Sequence, residues 1–166
     1  MGKSHPAISM VKPKFSLAAS DEELQTLIDQ ASHQTLAIWA RDCAMRVLPH
    51  YESLFPTEPR PRQALKTLQD WIDTGQFSMS VIRSASLNAH AAARQVGDDT
   101  PARSAARAAG QAMATAHVRT HSLGTAKYAQ QAVFRATFPD EAQVSAAQER
   151  NWQYHHLENL IRERQP

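Results

Sequence analysis

Cysteine occurs once in the 166 residues, at Cys43, so the chain cannot close a disulfide on itself. Glycine is used five times and aromatic residues make up 7% of the chain. That is too little for a β-sandwich or barrel, which needs glycine-rich turns and β-branched or aromatic strands. No run of 18 apolar residues exists, which excludes a transmembrane helix. No apolar stretch follows the basic start, so the sequence offers no secretion signal and the expected location is the cytoplasm. The opening Met1-Gly2-Lys3-Ser4-His5-Pro6 has proline where a myristoylation signal needs Ser or Thr, and its Gly-Lys-Ser lacks the upstream glycine loop that cradles phosphate. Nucleophile-elbow, Ser-x-x-Lys, dinucleotide-fingerprint and paired-carboxylate patterns are missing too, so no catalytic residue and no cofactor is called for.

What is plentiful is alanine, crowded between Ala85 and Ala136, and apolar residues at helical spacing almost to the end. The length fits one domain. Residues 1 to 19 read as an extended arm, followed by a helical domain over 20–166. Ser20-Asp21-Glu22-Glu23 is a capping box that opens a helix with Leu24, Leu27 and Ile28 on one face. The polar run from Gln30 to Thr35 interrupts it before a helix to about Leu54. There Leu36, Trp39, Cys43 and Val47 form the inner stripe, Ile38 and Met45 widen it, and Pro49 kinks or ends it. Phe55 to Pro61 is a loop, with Pro61 as a first helical residue, then Ala64, Leu65, Leu68 and Ile72, and Gly75 as the stop. Ser78 caps a helix carrying Ile82, Ala85, Ala89, Ala92 and Val96. Thr100-Pro101 opens a long one through Ala105, Ala109, Ala112 and Ala116, which Gly124 is expected to split within Ser122 to Thr125. Tyr128, Val133 and Phe134 follow, Phe138-Pro139 ends the unit, and Asp140 opens a last helix with Trp152, Tyr154, Leu157 and Ile161. The sum is an all-α, single-domain antiparallel bundle of six or seven helices with an Ala-rich centre. Trp39, Trp71, Phe77 and Trp152 are expected around the edge of that core.

Net charge is +2, too small to call for a nucleic-acid partner, but it is unevenly spread. Between Val81 and Ala136 seven basic residues (Arg83, Arg94, Arg103, Arg107, Arg119, Lys127, Arg135) face two acidic ones, Asp98 and Asp99. The surroundings are acidic, so opposite charges are expected to pair across packed helices. Asp42, Arg46, Arg62, His90, Arg94, Arg107 and His117 read as a polar cluster on inner faces, where such groups fix helix register by ion pairs. His117 and His121 stand at i, i+4 on one helix, and His90 on its neighbour is a candidate third ligand for a metal with an open position and hydrolase-type chemistry. Val118 replaces the glutamate such a site uses as general base, and the alternative is a buried, hydrogen-bonded His117 with His121 at a helix end. Cys43 lies in the apolar arc as a core residue. Exposed alanine stripes would let a second copy pack as a homodimer.

Several strings resemble one family in order and spacing. They are Trp39-Ala40-Arg41-Asp42-Cys43-Ala44-Met45-Arg46-Val47-Leu48-Pro49; Arg60-Pro61-Arg62-Gln63-Ala64 with Trp71 and Gly75; and Ala89-His90-Ala91-Ala92-Ala93-Arg94. Ala105-Ala106-Arg107-Ala108-Ala109-Gly110 follows, then Ala114-Thr115-Ala116-His117-Val118, His121 and Tyr128-Ala129. Together, over about Ala37 to Ala132, they are similar to the bacterial "putative immunity protein" family. The resemblance implies an all-helical, non-enzymatic cytosolic protein that binds and blocks a cognate protein toxin, with no membrane partner. Thr57-Glu58-Pro59 departs from a more acidic run, and Gln111 stands where a histidine is common. Under this reading Asp21, Glu22, Glu23, Asp140 and Glu141 form an acidic outer face that would steer a basic toxin.

Overall fold

The computed structural model describes residues 14–166, so most of the arm expected over residues 1 to 19 lies outside the described residues. Seven helices follow: α1 (Glu22–Gln30), α2 (His33–Glu52), α3 (Arg60–Thr74), α4 (Met79–Arg94), α5 (Pro101–Thr115), α6 (His121–Ala136) and α7 (Ala142–Glu163). No strand occurs among the described residues, and no helix is long and apolar enough to cross a membrane.

Helix α5 is the axis. It packs against α2, α3, α4 and α6, and ten of its fifteen residues are buried, nearly all of them Ala, Gly or Ser. A helix touched on so many sides must be small on all of them, because a large side chain in any direction would push a neighbour outward. The bulk comes from around it: Trp39, Leu36, Leu48, Tyr51, Leu68 and Leu157 are all buried, with Met113 as the one large apolar side chain on α5 itself. Few alanines are left at the surface; only Ala18, Ala19, Ala136 and Ala147 are exposed among the described residues, so no alanine stripe remains for a second copy to pack on.

Hydrogen bonds give the helix directions. Along α4 and α5, Ser86 meets Gly110 and His90 meets Arg107. Along α2 and α7, Trp39 meets Gln153, Asp42 meets His156, and Arg46 meets Glu149. From Ser86 to His90 on α4 and from Trp39 to Arg46 on α2 the partner's number falls, an order consistent with antiparallel neighbours, while the Asp42–His156 pair steps the other way. The node at Gln153 ties three helices. Its backbone carbonyl accepts from Trp39 Nε1 at 2.8 Å, its Oε1 accepts from Gln130 Nε2 at 2.8 Å, and its Nε2 donates to the Ala126 carbonyl at 3.1 Å. Gln153 is fully buried, and no buried side-chain polar atom among the described residues lacks a partner.

Several expected details shift. Asp21, not Ser20, caps α1: one carboxylate both accepts from the Leu24 amide at 3.1 Å and takes the Arg150 guanidinium at 2.7 and 2.8 Å, a double use open to a charged cap and not to a hydroxyl. Pro49 stays within the last turn of α2, which ends three residues later. Met45 is exposed, two positions and hence about 200° from Cys43 on the buried face. Phe77 is also exposed, because it lies in the loop between Gly75 and Ser78 where no helix face carries it inward. Trp39 sits in the centre of the core, not at its edge. The break between α5 and α6 falls at residues 116–120, where Arg119 donates to the Ile28 and Ala31 carbonyls at the end of α1. Gly124 is helical instead. A Cβ there would stand 2.8 Å from Gln111 Oε1, so this glycine is a seat for a side chain and no breaker. The last helix starts two residues after Asp140, at Ala142.

Gln153→Leu is expected to cost about 2 kcal/mol in urea unfolding, since it strands the buried Gln130 amide. The pair Gln130→Leu/Gln153→Leu should recover part of that loss, and a double variant no better than the sum of both singles would rule the amide pairing out as the cause.

Candidate interaction site

Charged side chains fall into two groups that the fold treats differently. The first lies along α2 and α7. Arg46 makes a two-pronged bond to Glu149 at 2.9 and 3.0 Å and lies 3.8 Å above the Trp152 ring. Trp152 stacks on His156 at 4.7 Å, His156 Nε2 bonds Asp42 at 2.7 Å, and Asp42 accepts from Arg41, which reaches Gln69 on α3. Arg62 is taken by Glu52 through two 2.6 Å bonds. Every charge here has its counter-charge, and the bonds join neighbouring helices, so Asp42, Arg46 and Arg62 hold register. Cys43 lies beneath, fully buried; burial first, and then the nearby Glu149 and Asp42 carboxylates, push its thiol well up. Such a thiol is not a nucleophile.

The second group spans α4, α5 and α6. Arg103, Arg107 and Gln111 recur at every fourth position, so they form one row on α5. His90 and Arg94 form the matching row on α4, and His121 and Tyr128 stand on α6. His90 lies over Gly110, its Nε2 only 2.7 Å from where a Cβ would be, while Ser86 one turn earlier donates to the Gly110 carbonyl at 2.9 Å. The glycine therefore admits the ring, and the serine fixes the backbone under it. Arg107 Nη1 donates to His90 Nδ1 at 3.1 Å. A guanidinium only donates, so Nδ1 must be the bare nitrogen and the proton sits on Nε2. Burial, with Arg107, Arg94 and His121 beside it, pushes the His90 imidazole down to about 4. His121 Nδ1 donates to Gln111 Oε1 at 2.8 Å, and burial, then His117, lowers its proton affinity too.

The row is short of negative charge. Arg103 has Asp98 and Arg135 has Asp99, both carboxylates being more than four-fifths exposed. Arg94 and Arg107 have no carboxylate within 4 Å among the described residues, and residues 1–13 contain no Asp or Glu to supply one. Burial above all weakens the hold of Arg107 on its proton; Tyr128 opposes this, and the like charges of Arg103 and Arg94 add smaller effects in the same direction as burial. The expected pairing of the basic block with its acidic surroundings is thus not what forms. Arg119 and Lys127 spend their donors on backbone carbonyls, and three of the outlying acids are already taken: Asp21 by Arg150, Glu149 by Arg46, Glu52 by Arg62.

The seven polar residues expected together therefore separate. Asp42, Arg46 and Arg62 belong to the paired group; His90, Arg94 and Arg107 come together; His117 is exposed in the α5–α6 turn and is not the buried residue of a continuous helix. That turn also removes the i, i+4 relation of His117 to His121, which is the first residue of α6. Among the described residues no three His, Cys, Asp or Glu side chains form a metal-binding group, so His90, His117 and His121 do not converge as ligands. Of the acidic candidates, Asp21 is consumed as cap and ion pair, Glu23 lies 3.1 Å from Arg150, and Glu22, Asp140 and Glu141 are exposed. Gln111 and Tyr128 were not among the expected site residues. The signal for the first was Gly124, a glycine inside a helix that tolerates it only for a packing reason.

Against known proteins, the sequence profile of a family described as "Imm-5 like putative immunity protein" matches residues 26–160. No curated protein and no solved structure matches the chain.

The His90 imidazole binds its proton less readily when folded than in the unfolded chain, where the usual value is about 6.5. Its contribution to stability is thus whole above pH 6.5 and lost as pH falls towards 4. Between pH 7 and pH 4.5 the wild-type chain is expected to lose roughly 2 kcal/mol more than His90→Asn in urea titrations. Equal losses would show that His90 is not held neutral.

Proposed function

The chain belongs to the Imm-5 like putative immunity protein family, and from that membership we propose that it binds a cognate protein toxin in the cytoplasm and neutralises it by covering a toxin surface. The observation that carries this reading is the extent of the match, which runs from within α1 to within α7 and takes in the whole of the α4–α6 row. A binder of this kind needs a rigid scaffold and a face whose polar groups are not already satisfied internally. The tightly bonded α2–α7 side supplies the first and the cation-rich α4–α6 side the second. Blocking by occlusion needs no nucleophile, general base or metal of its own, and leaves the toxin chemically intact.

Co-expression with a toxin domain encoded beside this chain tests the reading. Growth should be restored, and the toxin recovered from the complex should keep its unmodified mass. No rescue and no co-purification would overturn immunity; rescue with a covalently altered toxin would overturn occlusion.

A further inference from the structure

We propose that Arg107 and Arg94, with His90 as a positioning residue, form a carboxylate-binding site that docks an acidic segment of the protein partner; the inference rests on the immunity reading for the nature of that partner. Four observations support it. Arg107 spends one of its five donors on His90 and has no other hydrogen bond among the described residues, so an edge of the guanidinium remains for a two-pronged carboxylate contact. The ring that holds it is itself locked, by the seat over Gly110 and by the Ser86 bond to the same residue's carbonyl. Arg94 lies one turn beyond His90 on α4, exposed, without a carboxylate of its own. Elsewhere in the described structure the arginines of comparable burial are engaged, Arg41, Arg60 and Arg150 by acids and Arg119 by backbone carbonyls, so Arg107, with only a neutral ring, is a local exception.

A half-buried arginine without a counter-ion is destabilising for the free chain, and a carboxylate arriving from outside removes that cost on binding. The chemistry selects Asp and Glu side chains over a diffuse polyanion for a geometric reason. Arg107 sits between α4 and α6, with Gln111, His121 and Tyr128 around it, and presents a short planar fork; no long track of lysines continues from it. The acidic face once expected to meet a basic toxin is partly spent inside the fold, at Asp21 and Glu23. The charge left over for a partner on α4–α6 has the opposite sign.

A fluorescein-labelled hexaglutamate peptide titrated by anisotropy at low salt reads the site directly. Wild-type protein should bind, and Arg94→Glu/Arg107→Glu should weaken binding by about tenfold or more. Lys66→Glu/Arg162→Glu, with the same net charge and exposed positions on α3 and α7, should change it by less than about twofold. Arg94→Gln/Arg107→Gln serves if charge reversal disturbs folding by circular dichroism. Arg107→Lys keeps the charge and removes the fork, so it should lose several-fold. His90→Ala should lose affinity while His90→Asn, whose amide oxygen replaces Nδ1, should recover it, a rescue that a purely packing role for His90 would not give. No binding by wild type, equal loss in both charge-reversed doubles, or tighter binding of a labelled dT12 oligonucleotide through the same arginines would each overturn the site. In co-expression, full rescue by Arg94→Glu/Arg107→Glu would overturn it as the docking face while leaving immunity standing. Failure of wild type to rescue would instead overturn immunity, with the peptide still judging the site.

Discussion

Everything in this fold depends on how little α5 presents to its neighbours. Four helices lie against it, and its buried residues are nearly all alanine, glycine or serine. An alanine buries little area, and the apolar driving force per contact is correspondingly weak. The smooth surface also offers few knobs to set the rotation of a neighbour. The molecule meets this with large side chains supplied from outside, such as Trp39 and Leu36 on α2, and with buried directional bonds. Ser104 donates to Gln131 at 2.8 Å, Ser86 donates to the Gly110 carbonyl, and Gln153 gathers α2, α6 and α7 at one point. Register that apolar ridges would otherwise set is set here by amides and hydroxyls.

The same economy explains the two treatments of charge. On α2 and α7, Arg41, Arg46 and Arg150 are large enough to cover apolar surface, and each of the three meets a carboxylate or an aromatic face; Arg46 meets both. α4 and α5 carry no acidic side chain of their own, and between them glycine is needed even to admit an imidazole. Arg107 consequently meets a neutral ring where a carboxylate would have been the obvious partner.

Helix positions were legible because they rest on local signals. Gly75 adopts φ 66° as the stop of α3, Thr100 caps α5 ahead of Pro101, and the stripe Ala64, Leu65, Leu68 and Ile72 is buried as its spacing implies. What misled was whatever depended on a neighbour. Gly124 reads as a breaker until Gln111 is known to lie on it, and Asp21 is hard to prefer over Ser20 without Arg150. His117 and His121 share a helix face only if the helix continues, and it stops before His117, at a turn where Arg119 is held by the end of α1. The α4–α6 row was visible as an excess of basic residues, but its polarity as a site was not. That required knowing which acids were already engaged elsewhere.

The bond between Arg150 and Asp21 joins residues 129 positions apart. During synthesis the first helix therefore leaves the ribosome long before the guanidinium that completes its cap exists, and an isolated helix of nine residues has little stability of its own. Its docking waits for α7. Until α7 emerges, α1, α2 and α6 lack the helix that packs against them, and the nascent protein is open to capture by chaperones in that interval.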